Sequence, residues 1–259
     1  MGRTAGLIAF ALLAATSAAA GEDTSGWATV PGGRFRSALA LADAPQGSPV
    51  VRFVMMETPV TNRQFLEFVR ANPRWLRDRV PTALAEPRYL SHWNGPTQLG
   101  NRSLPNSPVV WVSWFAADAY CRSSDARLPT WTEWEYAAAA DATRRDARSD
   151  PAWRERILAW YAEPSVAALP SVGNDAANAY GLRDLHGLVW EWVEDYSALL
   201  VSADNREQGD ADELRFCGAG AISTSDRENY AVLMRVAMLS ALEGANTTAN
   251  VGFRCARGP

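Results

Sequence analysis

The side chains that could perform covalent or metal chemistry are few in this chain of 259 residues. It contains three cysteines, two histidines and no lysine, so all 25 basic residues are arginines. Without lysine the chain cannot form a Schiff base with a carbonyl substrate. The two histidines, His92 and His186, are too few for a three-histidine metal centre and lie far apart in the chain. The residues that can form thiolates, which are nucleophiles and soft metal ligands, are Cys121, Cys217 and Cys255.

The state of these thiols depends on the compartment, and residues 1–20 have the pattern of a signal peptide. Arg3 precedes an apolar run over residues 7–15, and small residues follow as far as Ala20. The run is shorter than the roughly 18 residues of a membrane span, so we expect a removed leader; an uncleaved tether is the alternative. We therefore predict a periplasmic or secreted protein with no stable membrane span after removal of the leader. In an oxidising compartment two cysteines can pair, and the sequence alone does not choose which.

The composition is that of a globular protein. Hydrophobic residues make up 47% and charged residues 21% of the sequence, which excludes a disordered chain. The formal net charge of -4 gives no basic footprint, so we expect no nucleic-acid partner. No internal repeat is present, and we predict a single domain over residues 21–259.

Local signals predict several helices and at least one strand. Helices are expected to begin at three capping signals, namely Thr61 with Gln64, Ser113, and Thr130 with Glu133. A short helix is expected around residues 153–160, and the β-branched residues of segment 50–56 predict a strand. Because the elements do not alternate as βαβ units, the sequence predicts an α+β fold with many loops. Glu133 and Glu135 stand two positions apart on a predicted helix, so they should face different directions rather than form an acid/base pair.

Four motifs follow one another in order along the chain. They are PVTNRQF at residues 59–65, RLPTWTEWEY at 127–136, GLRDLHGLVWEW at 181–192 and NVGFRC at 250–255. Together they resemble the formylglycine-generating enzymes, also called sulfatase-modifying factors, over residues 30 to 256. The resemblance implies a variant C-type-lectin-like fold, which is α+β, rich in loops and low in regular secondary structure.

Glu191 lies between two tryptophans, Trp190 and Trp192, whose large apolar area is best buried. A carboxylate flanked by buried indoles needs a donor or a cation, so Glu191 is either paired with an arginine or a metal ligand. In the resembled family the glutamate at this position helps backbone carbonyls to hold calcium, which implies a calcium site at Glu191 and Val189. The family's asparagine three residues before this glutamate is Leu188 here, so one of its oxygen ligands is absent.

The segment that should carry the family's catalysis departs from the enzymes. Their activity depends on two cysteine thiolates, about five residues apart, that bind copper(I) and activate oxygen. Alignment of the glycine-rich stretch that follows Cys217 places Ser223 at the first thiol position and Glu228 or a neighbour at the second. A hydroxyl and a carboxylate are hard ligands that do not hold copper(I), and one thiol cannot make the pair. We therefore expect neither copper nor formylglycine-generating oxidase activity, and whether the chain is another kind of enzyme stays open.

The resemblance also implies that the cleft persists with altered chemistry. Its candidate polar lining consists of Ser223, Asp226, Arg227, Glu228 and Arg235. A solvated surface loop is the alternative for these charged residues. The cysteines of the family's helix and terminal motif form a disulfide, which implies a bridge from Cys121 to Cys255. Cys217 is then the free thiol, either a buried small apolar group or a reactive or metal-binding one.

Three function classes fit these observations. The first is a maturation or accessory factor that acts on a periplasmic partner protein without oxidase chemistry. The chain looks similar to exported relatives found alongside bacterial copper nitrite reductases, which share segments 185–192 and 216–221 and lack the thiol pair. The second is an oxidoreductase with altered chemistry, whose iron-dependent branch needs three histidines and is excluded by the histidine count. The third is a peptide- or glycan-binding module, which the 11 tryptophans permit.

Overall fold

The computed structural model describes residues 26–38, 47–162, 168–198 and 230–258. The helices in these ranges are α1 (Asn62–Ala71), α2 (Trp114–Arg122), α3 (Trp131–Ala138), α4 (Pro151–Ala162) and α5 (Tyr230–Ser240). The strands are β1 (Trp27–Val30), β2 (Gly33–Phe35), β3 (Ser48–Val50), β4 (Phe53–Met56), β5 (Trp190–Glu191), β6 (Val251–Gly252) and β7 (Ala256–Arg257). Helices and short strands joined by long loops confirm the α+β prediction. None of the helices in these ranges has the length and apolar character that crossing a bilayer requires.

The strands form three small sheets that join distant parts of the chain. Strand β4 pairs antiparallel with β1 on one side and with β7 on the other, while β2 pairs antiparallel with β3. Strands β5 and β6 are parallel, with Glu191 opposite Gly252. The last motif of the chain is thereby held against both the first strands and the segment that contains Glu191.

Segment 50–56 is not one strand, as the sequence predicts, but parts of two. Val50 pairs with Gly33 in one sheet, whereas Phe53 pairs with Val30 in another. The break between them leaves the side chain of Val51 exposed, with 61% of the residue accessible. The β-branched pattern identifies extended structure here, but the change of partner depends on residues far along the chain.

The helix starts agree with the capping signals. The hydroxyl of Thr61 accepts from the backbone N–H of Gln64, and the amide oxygen of Gln64 accepts from the backbone of Thr61. Thr130 and Glu133 form the same reciprocal capping box at the start of α3, and the Ser113 side chain caps the start of α2. Because these signals act within three residues, they can be read from sequence.

One large apolar cluster packs the helices against the sheets. Its fully buried aromatic members include Phe65, Trp134, Trp192 and Phe253. A disulfide joins Cys121 on α2 to Cys255 next to β7, and both residues are buried in this cluster. The pairing implied by the family resemblance is therefore present in the structure.

Candidate functional site

One of the candidate cleft residues, Arg235, lies in the part of the chain that the structure describes. The others, Ser223, Asp226, Arg227 and Glu228, lie outside the described residues, as do Cys217 and the predicted signal peptide. The site can therefore be built from Arg235 on α5 and from the residues packed around it.

Arg235 is buried in the core, with 1% of the residue accessible. Its Nη2 donates to the backbone carbonyl of Glu191 at 2.7 Å. Its guanidinium carbon lies 3.4 Å from the ring centroid of Trp134, so the cation stacks on the indole face. Its Nε is buried and has no hydrogen-bond partner among the described residues. Within the same residues Arg235 forms no ion pair with a carboxylate, which usually accompanies a buried arginine.

The charge on Arg235 persists at neutral pH. Burial lowers its pKa from 12.5 to about 10, and the nearby Arg254 guanidinium acts in the same direction, opposed by the Glu191 carboxylate. A group with a pKa of about 10 remains almost fully protonated at pH 7.

Glu191 is already matched by a different arginine. Its carboxylate accepts from Nη2 of Arg254 at 2.8 Å and from Nε at 2.9 Å, and both side chains are 0% accessible. Trp134 Nε1 donates to the same carboxylate at 2.9 Å. Arg254 also donates to the backbone carbonyls of Met56 and Arg183. Since Glu191 and Arg254 neutralise each other, Arg235 is an additional, uncompensated positive charge among the described side chains.

These contacts favour the arginine pair over the metal ligand as the interpretation of Glu191. Both carboxylate oxygens accept from donors, and a calcium ion there would lie against two guanidinium groups. Within the described residues, no group of three or more histidine, cysteine, aspartate or glutamate side chains could hold a metal ion. Val189 is buried, and a calcium site there would use backbone carbonyls, of which that of Glu191 already accepts from Arg235. The described side chains around the Glu191 carboxylate therefore do not fit a calcium ion.

His186 lies at the edge of the same indole. Its ring meets Trp134 edge to face at a centroid distance of 5.7 Å and Trp153 at 5.5 Å. Nε2 lies 2.9 Å from the carbonyl oxygen of Ala138, which can only accept, so Nε2 carries the proton. Nδ1 is then a bare acceptor, and it is buried without a partner in the part of the chain that the structure describes. Burial lowers the pKa of His186 to about 4, with the carbonyl of Ala138 acting in the opposite direction, so the ring is neutral at pH 7.

Aromatic side chains from α4 and β5 pack against one another near Arg235. Tyr161 stacks on Trp190 at a centroid distance of 4.9 Å, and Trp160 lies 5.9 Å from the same indole. Burial raises the pKa of Tyr161 to about 12, and the charge on Arg235 opposes that rise. Arg235 therefore lies among aromatic rings and beside the mutually neutralising Glu191–Arg254 pair. A low local dielectric strengthens every electrostatic interaction made there.

The second histidine belongs to a different network. His92 Nε2 and Trp93 Nε1 both lie within hydrogen-bond distance of Asn62 Oδ1, at 3.2 and 2.9 Å. The Asn62 amide donates to backbone carbonyls, including that of Ser107, which fixes its orientation. This arrangement organises the loop packed against α1. His92 and His186 therefore belong to separate hydrogen-bond networks, as their distance in sequence predicts.

The two glutamates of α3 face different directions, as expected from their spacing. Glu133 forms an ion pair with Arg127, whereas the Glu135 carboxylate accepts from the hydroxyl of Ser37 and the backbone N–H of Ala38. Glu135 is 2% accessible, and burial raises its pKa. Neither carboxylate belongs to the Arg235 site.

Sequence reasoning did not find the association of Arg235 with Trp134 and His186. Arg235 and Glu191 are 44 positions apart, and His186 and Ala138 are 48 apart. Arg235 lies outside the four motifs, and Trp134 and His186 lie in different ones, so no local spacing connects the three residues. The one available signal was the presence of Trp134, His186 and Glu191 in motifs that also carry the family resemblance.

The disulfide limits the soft metal ligands of the chain. Three cysteines are present in the whole sequence, and Cys121 and Cys255 are joined to each other. One thiol therefore remains, on Cys217. A single chain with this bridge intact cannot supply two thiolates to one copper(I) ion.

Comparisons with known proteins agree on the family. The family model described as the sulfatase-modifying factor enzyme 1-like domain matches residues 14–259. A formylglycine-generating enzyme of Streptomyces coelicolor is 32% identical, over 92% of this chain and 91% of the relative. An inactive C-alpha-formylglycine-generating enzyme 2 of Bos taurus is 28% identical, over 88% of this chain and 87% of the relative. Among solved structures, PvdO from Pseudomonas aeruginosa aligns with a TM-score of 0.46 and 17% identity, over 90% of this chain and 94% of PvdO.

Proposed function

Because the chain belongs to the sulfatase-modifying factor family, we propose that it is a member without formylglycine-generating oxidase activity, which serves as a maturation or accessory factor for a partner protein. Similarity alone does not choose between catalysis and its absence, since the relatives include both an enzyme and a protein named as inactive. The choice depends on the ligands that this chain can offer.

The main support for the proposal is the number of thiols that are available to bind copper(I). Copper(I) prefers soft sulfur ligands, and the resembled oxidases need two of them. Two of the three cysteines form a buried disulfide, and the third stands alone. The positions that align with the family's thiols hold Ser223 and Glu228 or a neighbour, which are hard ligands.

The proposed place of action is the periplasm or the exterior of the cell. The first 20 residues have the pattern of an export signal, and a structural disulfide is typical of proteins in oxidising compartments. The partner is accordingly proposed to be an exported protein.

Without an oxidant, the tasks left to the chain are binding and orientation. Strand pairing holds the C-terminal motif against β4, the disulfide joins it to α2, and the Glu191–Arg254 pair joins it to β5. The backbone carbonyl of Glu191 and the ring of Trp134 fix the position of Arg235 within this arrangement. A charge held in this way needs no rearrangement before it attracts a group of opposite sign.

The test is an aldehyde assay with a cysteine-containing sulfatase peptide, copper(I) and oxygen, followed by mass spectrometry of the peptide. The Streptomyces coelicolor enzyme serves as the positive control. We expect complete conversion by the control and none by this protein. Conversion by this protein would refute the absence of oxidase activity. Stoichiometric iron or copper in protein purified without added metal would favour the altered oxidoreductase instead.

A further inference from the structure

Two buried polar atoms that have no partner among the described residues belong to side chains packed against the same indole. Arg235 Nε is a donor, His186 Nδ1 is an acceptor, and both residues pack against Trp134. Buried polar atoms in native proteins are almost always hydrogen-bonded, so two orphans of opposite kind in one cluster indicate a missing group. The electrostatic effect of Arg235 on the pKa of His186 is consistent with their proximity.

The charge of the cluster determines the sign of that group. The Glu191–Arg254 pair is neutral, His186 is neutral, and Arg235 adds one positive charge. No other carboxylate of the described residues forms an ion pair with Arg235. An isolated buried cation is costly, and a bound anion removes that cost. A metal cation is excluded from the same place by the repulsion of the arginine.

The unpaired acceptor His186 Nδ1 places a second requirement on the chemistry of the ligand. An anion without a hydrogen atom to donate would satisfy Arg235 and leave Nδ1 unpaired. An anion that also bears a hydroxyl can accept from Nε and donate to Nδ1. The ligand must also be small, because Arg235 is 1% accessible and stacks on the Trp134 ring.

We propose that the Arg235–Trp134–His186 cluster binds a small hydroxy-carboxylate, with its carboxylate on Arg235 and its hydroxyl donating to His186. This inference rests on the proposed function, because it treats the site as one that binds rather than oxidises. A buried water molecule would satisfy both orphan atoms as well, but it would leave the charge uncompensated.

Glycolate and acetate form a matched pair of probes, because they differ in the hydroxyl. Binding to the full purified protein is measured by calorimetry, with sodium chloride at equal ionic strength as the reference. We expect saturable binding of both acids, with glycolate bound about tenfold more tightly, the effect of one additional hydrogen bond. Absence of saturable binding by either acid would overturn the proposal and leave a water molecule as the occupant.

Two histidine variants test whether the hydroxyl of glycolate donates to His186. His186→Phe keeps an aromatic ring beside Trp134 and removes Nδ1, so glycolate should bind only as tightly as acetate. His92→Phe is the matched control, because His92 belongs to the Asn62 network, and it should keep the tenfold preference. Equal loss of the preference in both variants, or its retention in His186→Phe, would contradict the assignment.

Arg235→Met tests the charge and should abolish binding of both acids. If that variant does not fold, the comparison of the two histidine variants still decides. The calorimetric titrations measure binding alone. If neither acid binds while the aldehyde assay still shows no conversion, this inference fails and the proposed function stands. Aldehyde formation can likewise refute the proposed function while the acids still bind, so the two failures are distinguishable.

Discussion

The Nη2 atom of Arg235 lies 2.7 Å from the backbone carbonyl oxygen of Glu191, while the carboxylate of Glu191 is engaged by Arg254 and Trp134. The main chain and the side chain of one glutamate therefore hold two different arginines. The arginine held by the side chain is neutralised, whereas the one held by the main chain keeps its charge. This difference separates a structural ion pair from a candidate binding group.

Glu191→Gln tests the structural role of that ion pair. The substitution leaves the Arg254 guanidinium buried without a counter-charge, so we expect the free energy of unfolding to fall by about 3 to 5 kcal/mol. Urea unfolding followed by circular dichroism measures the change.

Asp118→Asn is the control for this measurement. It removes an exposed pair with Arg122 on α2 and should change the free energy of unfolding by less than about 1 kcal/mol. Equal effects of the two substitutions would contradict the buried role of Glu191.

His186 should make the stability of the protein depend on pH in a defined window. Its pKa is lowered from 6.5 to about 4 in the folded protein, so below pH 6.5 the unfolded chain takes up a proton that the folded chain does not. Stability is therefore lost as the pH falls from 6.5 towards 4, by at most about 1.4 kcal/mol per pH unit from this group.

Urea unfolding at a series of pH values, for the wild type and His186→Phe, isolates this contribution. The variant should lose stability less steeply between pH 6 and 4.5, by about 1 kcal/mol per pH unit. The lost hydrogen bond to Ala138 shifts the whole curve without changing its slope. Parallel curves for the two proteins would show that His186 does not titrate in this way.

The cysteines are predicted to comprise one bridge and one thiol. Titration with a thiol reagent in denaturant should give one thiol per chain, and none in Cys217→Ser. The bridge closes a separation of 134 residues, so Cys255→Ser should lower the free energy of unfolding by about 5 kcal/mol in the chain-entropy model. Cys217→Ser makes the same atomic change without breaking a bridge and serves as the control. Three free thiols in the wild type would contradict the pairing.

Features set by nearby residues could be predicted from the sequence. The capping boxes at Thr61 and Thr130 need only residues three positions away, and both are present. The opposite directions of Glu133 and Glu135 follow from helical geometry alone. The disulfide between Cys121 and Cys255 could not be derived in this way and came from the family resemblance.

Features set by distant residues could not be predicted. Segment 50–56 has one uniform pattern, yet its two halves pair with strands of different sheets. Arg235 was expected to line a cleft, and neither its burial nor its contact with Trp134 can be read from the residues beside it. Burial, stacking and unpaired atoms depend on which elements meet, and that is decided by packing over the whole core.

With one thiol outside its disulfide, this sulfatase-modifying factor homologue is predicted not to hold copper(I) between two thiolates. Anaerobic titration with copper(I) against a competing chelator, on protein whose disulfide is intact, measures this directly. We predict that the wild type and Cys217→Ser retain less than stoichiometric copper at chelator concentrations that leave the Streptomyces coelicolor enzyme loaded. One tightly bound copper ion per chain, lost on Cys217→Ser, would contradict this claim.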